Sequence, residues 1–142
     1  LYQNIIEKIN INKGGNYSMH QVITSHIKED GSQPHELVRT KGIHYSLYNL
    51  EALSLLGNMA VKLGIKQPYW RNDGDKGNLL RLATDYIYPY AIDPSTFPYR
   101  EIGPNDTARS IARYLARADY YYPEEGYKEK VEALIDSDMF WI

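Results

Sequence analysis

One stretch decides how the chain folds, and it runs from Asp30 to Leu53 as DGSQPHELVRTKGIHYSLYNLEAL. Its first five residues interrupt regular structure, which predicts a turn over Asp30–Pro34. Its last residues open an apolar run, which predicts a long helix over Ile43–Leu63. A loop that delivers polar side chains to the start of a buried helix holds them rigidly. We therefore interpret this stretch as the candidate active segment.

Outward from this stretch, the spacing of apolar residues predicts an all-α chain. Apolar positions recur every three to four residues, and no segment keeps the two-residue alternation of a strand. Pro89 is expected to disrupt the last turn of the fourth helix. Antiparallel helical hairpins are the expected architecture, and their long loops predict a working face at one end. The predicted helices cover residues 2–12, 18–29, 43–63, 78–88, 104–119 and 124–137.

The helix predicted over Ile43–Leu63 is apolar around much of its circumference. Leucines form a continuous stripe along it, and Leu55, Met59 and Val61 widen that stripe. An apolar surface so broad predicts an interior helix that packs on more than one side.

The composition is that of an ordinary globular protein. The chain has 142 residues, of which 43% are hydrophobic and 24% are charged, so a single domain over residues 1–142 is expected. A formal net charge of −2 gives no electrostatic case for nucleic acid. No apolar stretch reaches the roughly 20 residues that cross a bilayer, so no membrane partner is expected. The absence of cysteine excludes disulfides, thiol catalysis and Cys-type zinc sites.

Tyrosine is the unusual residue of this composition, with 14 tyrosines against two phenylalanines. So many amphipathic rings suit a groove for a polar ligand such as a sugar, and they suit equally a tyrosine-rich core with solvated edges. Trp70 and Tyr99 are candidate stacking platforms for a sugar. The alternative is that these two aromatic side chains only hold their loops in place.

Arg39 and Tyr45 are the candidate catalytic pair. They lie six residues apart across the junction of loop and helix. A tyrosine there can exchange protons if a cation assists it, and Arg39 can supply that cation or bind a carboxylate. Asn49 follows Tyr45 by one helical turn on the same face, whereas His44 points towards another face. An Arg39 that merely pairs with Glu36 would give the same spacing, and this alternative stays open.

A basic stripe is the other charged pattern, formed by Arg109, Arg113 and Arg117. It is expected to be a solvated helix face paired with Asp106 and Asp119 rather than a polyanion site. The sequence contains no Gly-rich phosphate loop and no histidine pair at metal-ligand spacing, so neither a metal nor a cofactor is expected.

The stretch from Asp30 to Leu53 resembles the alginate lyase superfamily of polysaccharide lyases. The resembling residues are Asp30-Gly-Ser-Gln-Pro-x-Glu-Leu-x-Arg-Thr40 and His44-Tyr-Ser-Leu-x-Asn-Leu-Glu-Ala-Leu53. Less specific support comes from the segments 79–90 and 97–102, so the resemblance spans about residues 18–105.

The resemblance implies an incomplete (α/α) toroid, of which residues 1–142 would be the C-terminal portion. It implies β-elimination on an acidic uronate polysaccharide, either alginate or polymannuronate or else glucuronan, by a secreted or periplasmic enzyme without cofactors. Tyr45 would transfer the proton, and Arg39 would stabilise Tyr45 and the charge of the substrate. Substrate binding would fall to Gln33, Lys41, His44, Asn49, Trp70 and Tyr99.

One departure from the family pattern concerns the group that neutralises the substrate carboxylate. Relatives carry an Asn-His pair well before the Asp30 turn, and no such pair precedes Asp30 here. We expect that pair in a preceding part of a longer protein, and the alternative is a non-catalytic helical carbohydrate-binding or scaffold relative. A glycoside hydrolase would need two carboxylates flanking a cleft, for which Glu36 and Glu51 are the nearby candidates.

Overall fold

A computed structural model describes residues 19–62, 79–103 and 106–136 of the chain. Over these ranges the β-type pairing is an isolated antiparallel bridge between Lys41 and Glu101, which confirms the predicted all-α class. The helix predicted over residues 2–12 and the candidate Trp70 lie outside the described residues. The elements are α1 (Met19–His26), α2 (Pro34–Leu37), α3 (Gly42–Lys62), α4 (Leu79–Ile92), a 3-10 turn (Pro94–Thr96), α5 (Thr107–Tyr121) and α6 (Tyr127–Ile135).

Helix α3 is the element on which the others pack. It contacts α1, α2, α4 and α5, while α5 also packs against α4 and α6. The predicted leucine stripe of α3 is buried in this core, where each large apolar side chain contributes about 1.5–3 kcal/mol. The start of α3 is therefore held on several sides. The core includes Ile23, Ile27, Ile43, Leu47, Leu50, Leu53, Leu80, Ile87, Ile111 and Leu115.

Helix α3 packs on more than one side, as predicted, but part of its apolar surface is exposed. Leu55, Met59 and Val61, which widen the leucine stripe, are 51%, 50% and 45% exposed. These positions point away from the neighbouring helices that cover the leucine stripe. None of the helices described is long and apolar enough to cross a membrane.

Helix α4 corrects the prediction that Pro89 disrupts its last turn. The helix runs through Pro89 to Ile92, and the backbone N–H of Asp93 donates to Pro89 O at 2.9 Å. Pro89 lies on the exposed side, whereas Ala91 is 1% exposed. Packing of the residues after Pro89 therefore outweighs the cost of about 3 kcal/mol that a proline imposes inside a helix.

The predicted turn at Asp30–Pro34 forms against the backbone of α4. Gly31 has φ +85°, and a Cβ atom there would lie 2.1 Å from Leu82 O, so only glycine fits. Asp30 Oδ1 accepts from the backbone N–H of Ser32 at 2.9 Å, which closes the turn. Pro34 then opens the single helical turn α2, which was not among the predicted helices.

Gly42 allows the segment 97–101 to lie close to the start of α3. A Cβ atom at Gly42 would lie 2.8 Å from both Leu37 O and the Phe97 ring. The Gly42 N–H donates to Arg100 O at 3.2 Å, and Glu101 Oε2 accepts from the N–H of Ile43 at 2.8 Å. The first turn of α3 is thus fixed by a carboxylate and by backbone bonds.

Candidate active site

The first turn of α3 places Tyr45 beside the side chain of Arg39. The Arg39 Cζ atom lies 3.4 Å from the centroid of the Tyr45 ring, which is a cation–π arrangement. Arg39 Nη1 also donates to Glu36 Oε2 at 3.0 Å. The sequence left open whether Arg39 pairs with Glu36 or assists Tyr45, and in the structure it contacts both.

Tyr45 is half-buried, and its hydroxyl forms no hydrogen bond with any described residue. Its backbone N–H donates to Lys41 O at 2.9 Å, which fixes the residue in the first turn of α3. A phenol can donate one hydrogen bond and accept others, and an arginine guanidinium carries a permanent positive charge. The arrangement therefore offers a ligand a proton-exchanging group beside a permanent cation.

A chain of hydrogen bonds joins α1, the Asp30–Pro34 turn and α3. It reaches α3 at Asn49, one helical turn after Tyr45. Gln33 is 2% exposed, and its Nε2 donates to Ser46 O at 3.1 Å. Its Oε1 accepts from Asn49 Nδ2 at 2.9 Å. Asn49 Nδ2 in turn lies 3.4 Å from His26 Nδ1. Both ends of the buried Gln33 amide are used within the protein, so Gln33 can influence a ligand only through Asn49.

The direction of every bond in this chain follows from the Ser46 carbonyl, which can only accept. Gln33 must turn its amide nitrogen towards Ser46, so its oxygen faces the amide nitrogen of Asn49. Both hydrogens of that nitrogen are then used, one by Gln33 and one by His26 Nδ1. Neutral His26 consequently carries its hydrogen on Nε2, and Asn49 keeps only Oδ1 for a ligand. We call the surface formed by Asn49 and His26 the Asn49–His26 wall. It offers a ligand one donor, His26 Nε2, and one acceptor, Asn49 Oδ1.

The loop after α4 carries the candidate Tyr99. Its ring is 45% exposed and lies 5.5 Å from that of Phe97, measured between centroids. Tyr90 contacts the same Phe97 at 5.3 Å, and Tyr86 follows at 5.9 Å from Tyr90. Burial raises the pKa of Tyr86. These rings support the loop, and Tyr99 is the exposed end of their row.

His44 lies on another face of α3 from Asn49, as the sequence predicted. It is exposed, and its ring centroid lies 5.4 Å from that of Tyr45. On the side of α3 that faces α5 there is an open groove of about 490 Å³, which we call the α3–α5 groove. It is lined by His44, Leu47, Tyr48, Glu51, Asp106, Thr107, Ser110, Arg113 and Tyr114.

The arginines of α5 are paired differently from the prediction. Arg109 contacts Asp106 at 3.4 Å as expected, but Arg117 donates to both oxygens of Glu51, at 3.2 and 2.8 Å, instead of pairing with Asp119. The fold brings Glu51 of α3 opposite α5, and helical spacing alone could not show this. The hydrogen bond from Arg117 lowers the pKa of the Glu51 carboxyl.

A second arginine–tyrosine pair, which was not predicted from the sequence, lies between α4 and α6. Tyr127 is 1% exposed, its hydroxyl donates to Asp85 Oδ1 at 2.8 Å, and Arg81 Nε donates to the same hydroxyl at 3.0 Å. Burial, followed by the bond to Asp85, raises the pKa of Tyr127. Across the described ranges no cluster of three or more histidine or carboxylate side chains could hold a metal ion.

Comparison with known proteins identifies relatives of the chain. A family model described as alginate lyase matches residues 10–97. A crystal structure of an alginate lyase from Bacteroides ovatus is similar in fold, with a TM-score of 0.70 and 24% sequence identity. The match covers 87% of this chain and 33% of that one, so the chain spans about a third of the length of this relative. No curated protein matches the chain.

Proposed function

Since this chain belongs to the alginate lyase family, we propose that it acts on an acidic, uronate-containing polysaccharide and cleaves it by β-elimination. The proposed substrates are alginate or polymannuronate first and glucuronan next. We further propose that residues 1–142 belong to one domain, the C-terminal portion of an incomplete (α/α) toroid, in a secreted or periplasmic protein. The family membership supports a polysaccharide lyase, and the residues of the candidate site support the assignment of roles.

One observation carries the proposed chemistry, namely a Tyr45 hydroxyl that no described residue bonds, beside Arg39. In β-elimination a base removes the C5 proton of a uronate, and the electron pair forms the C4–C5 double bond. The C4–O4 bond breaks, and the leaving oxygen takes a proton. Tyr45 is placed to supply that proton as general acid, and Arg39 offers charge to the carboxylate on which negative charge develops.

Asn49 and His26 support a position for the sugar beside Tyr45. A sugar hydroxyl both donates and accepts, so it matches the acceptor Asn49 Oδ1 and the donor His26 Nε2. Gln33 would act as a positioning residue, because its buried amide sets which groups Asn49 presents. Lys41, just before α3, and the exposed Tyr99 are also proposed to bind the substrate.

The rival glycoside hydrolase mechanism finds little support in the two carboxylates. It requires a protonated carboxylic acid with a raised pKa. Glu51 has a lowered pKa because Arg117 donates to both of its oxygens. Glu36 is occupied by Arg39 at 3.0 Å. Neither group is arranged as a general acid.

An assay of unsaturated uronate formation separates the lyase from a non-catalytic carbohydrate-binding relative. Alginate, polymannuronate and glucuronan are each incubated with the protein, and ultraviolet absorbance of the new C4–C5 double bond is followed. A rise with at least one polymer, and none with its carboxyl-reduced form, is the expected result. Binding of a polyuronate without any rise would favour the non-catalytic relative, and the lyase proposal would then be abandoned.

A further inference from the structure

We infer that the α3–α5 groove binds a second acidic sugar of the same polysaccharide chain, with Arg113 as its carboxylate-binding group. This inference rests on the proposed function for the identity of the polymer. The groove is a different surface from the wall formed by Asn49 and His26, and its ligand contacts are set by α5 rather than by the Asp30 turn.

The polar groups that line the α3–α5 groove differ in whether they are bonded within the protein. Most of them are already bonded within the protein. Two ion pairs join Glu51 to Arg117 and Asp106 to Arg109. Three hydroxyls donate hydrogen bonds to backbone carbonyls: Thr107 Oγ1 to Ala91 O, Ser110 Oγ to Asp106 O, and the Tyr114 hydroxyl to Leu47 O. Both carboxylates of the groove therefore have a cationic partner.

The polar groups left over are the side chains of His44 and Arg113 and the hydroxyl of Tyr48. Among described residues, Arg113 forms no ion pair or hydrogen bond, and His44 has only its ring contact with Tyr45. With Glu51 and Asp106 already paired, Arg113 leaves the groove with one uncompensated positive charge. Arginine binds a carboxylate through two parallel hydrogen bonds, so an anionic carboxylate ligand is the chemical match.

The shape of the groove fits a sugar unit. Its volume of about 490 Å³ lies within the range of small-ligand sites. Tyr48 is 73% exposed at its edge and presents a ring with an apolar face and a polar hydroxyl. A pyranose ring has the same two kinds of surface.

His44 connects the groove to the candidate active site. It lines the groove, and its ring lies 5.4 Å from that of Tyr45. A polymer with one unit beside Tyr45 can therefore continue past His44 and place a neighbouring unit near Arg113. The groove would strengthen binding of longer chains more than that of short ones.

The test measures binding of a saturated hexamannuronate by calorimetry, with Tyr45→Phe as the background that prevents turnover. Adding Arg113→Ala is expected to weaken binding about tenfold, as for loss of a charge-assisted hydrogen bond. Adding Lys128→Ala, which removes an exposed positive charge on α6, is the matched control and should leave binding unchanged. Arg113→Lys should retain part of the affinity.

Chain length and carboxyl reduction sharpen the result. The Arg113→Ala loss should be much smaller with a dimannuronate and absent with a carboxyl-reduced hexamer. Equal hexamer affinity with and without Arg113, in variants with the same circular dichroism spectrum, would overturn the inference. An equal loss for Lys128→Ala would overturn it as well, because it would reduce the effect to net charge.

The outcome is separable from that of the proposed function. If the unsubstituted protein forms no unsaturated uronate but hexamer binding still depends on Arg113, the groove stands and the lyase proposal fails. If the protein is an active lyase whose KM for long chains is the same with Arg113→Ala, the lyase stands and the groove assignment fails.

Discussion

Two arginine–tyrosine pairs occupy opposite environments in this molecule. Arg39 covers the ring of Tyr45 at 3.4 Å, and the tyrosine hydroxyl is bonded to none of the described residues. Arg81 instead donates to the Tyr127 hydroxyl at 3.0 Å, and that hydroxyl donates to Asp85. Tyr127 is almost fully buried, whereas Tyr45 is half-buried.

The difference shows that the residue types alone do not make a site. In the Tyr127 pair every hydrogen-bonding group is used within the fold, so the pair stabilises contacts of α4 with α6. In the Tyr45 pair the arginine is anchored by Glu36, but none of the described residues bonds the tyrosine hydroxyl. The unbonded polar group, rather than the pairing, distinguishes a candidate catalytic tyrosine from a structural one.

Arg39→Ala should separate the two pairs by its effect on turnover. Turnover of the preferred polyuronate is expected to fall about a hundredfold, because a preorganised charge near the reacting carboxylate is lost. Melting temperature should hardly change, since the exposed pair with Glu36 contributes at most about 1 kcal/mol. Steady-state kinetics and thermal melting measure both effects.

The matched change in the other pair is Arg81→Ala, which should lower the melting temperature while the rate of the folded protein stays near that of the unsubstituted one. If Arg39→Ala kept full turnover, Arg39 would be a partner of Glu36 and nothing more.

Tyr127→Phe should reveal the structural role of the buried pair. Removing the hydroxyl leaves Asp85 and Arg81 without their shared partner, and the expected loss is about 1–3 kcal/mol in the free energy of unfolding. Urea unfolding measures it, and Tyr120→Phe is the control because Tyr120 is 77% exposed. If Tyr127→Phe lowered the free energy of unfolding no more than Tyr120→Phe does, the hydrogen bonds of Tyr127 with Arg81 and Asp85 would not stabilise the fold.

The stability lost in Tyr127→Phe should depend on pH and become smaller in alkaline solution. The raised pKa of Tyr127 means that folding favours the neutral phenol, so its contribution is complete below the unfolded pKa of about 10 and is lost as the pH rises above it. The stability difference between the protein and Tyr127→Phe should therefore be constant from pH 6 to pH 8 and shrink in alkaline solution. A difference that grew with pH would have the wrong sign.

Gln33→Leu should reduce turnover less than Arg39→Ala does, because it acts indirectly, through the orientation of Asn49 next to Tyr45. With the Gln33 amide gone, Asn49 is free to turn, and turnover is expected to fall about tenfold through lost orientation. Nitrogen NMR of the histidine rings supplies a readout that a purely structural role would not change. His26 should carry its hydrogen on Nε2 in the unsubstituted protein and lose that preference in Gln33→Leu.

Ser95→Ala is the control for Gln33→Leu, because Ser95 is exposed and its side chain bonds to Asp93 next to it rather than to the candidate site. Detection of the Nδ1–H form of His26 in the unsubstituted protein would contradict the assigned direction of the hydrogen bonds.

The sequence predicted the elements that depend on local pattern. The leucine stripe of α3 and the turn at Asp30 follow from spacing and residue type, and both occur. Pro89 failed as a helix breaker because the buried Ala91 beyond it holds the helix together. Local propensity does not include such tertiary packing.

The candidate site was predictable only in part, for a similar reason. Arg39, Tyr45 and Asn49 lie within one short stretch, so their proximity could be expected from the sequence. The bond from Gln33 to Asn49 and the pair of Glu51 with Arg117 join residues 16 and 66 positions apart. Contacts at such separations depend on how helices pack, and a single sequence carries no direct sign of them.

The most direct test of the account is the rate of unsaturated uronate formation by Tyr45→Phe on the polymer that the unsubstituted protein cleaves fastest. This variant keeps the ring beside Arg39 and removes only the hydroxyl. We predict a loss of about a thousandfold or more in kcat, with polymer binding and melting temperature retained. A Tyr45→Phe protein that cleaves at the unsubstituted rate would contradict the proposal that the hydroxyl of Tyr45 transfers the proton.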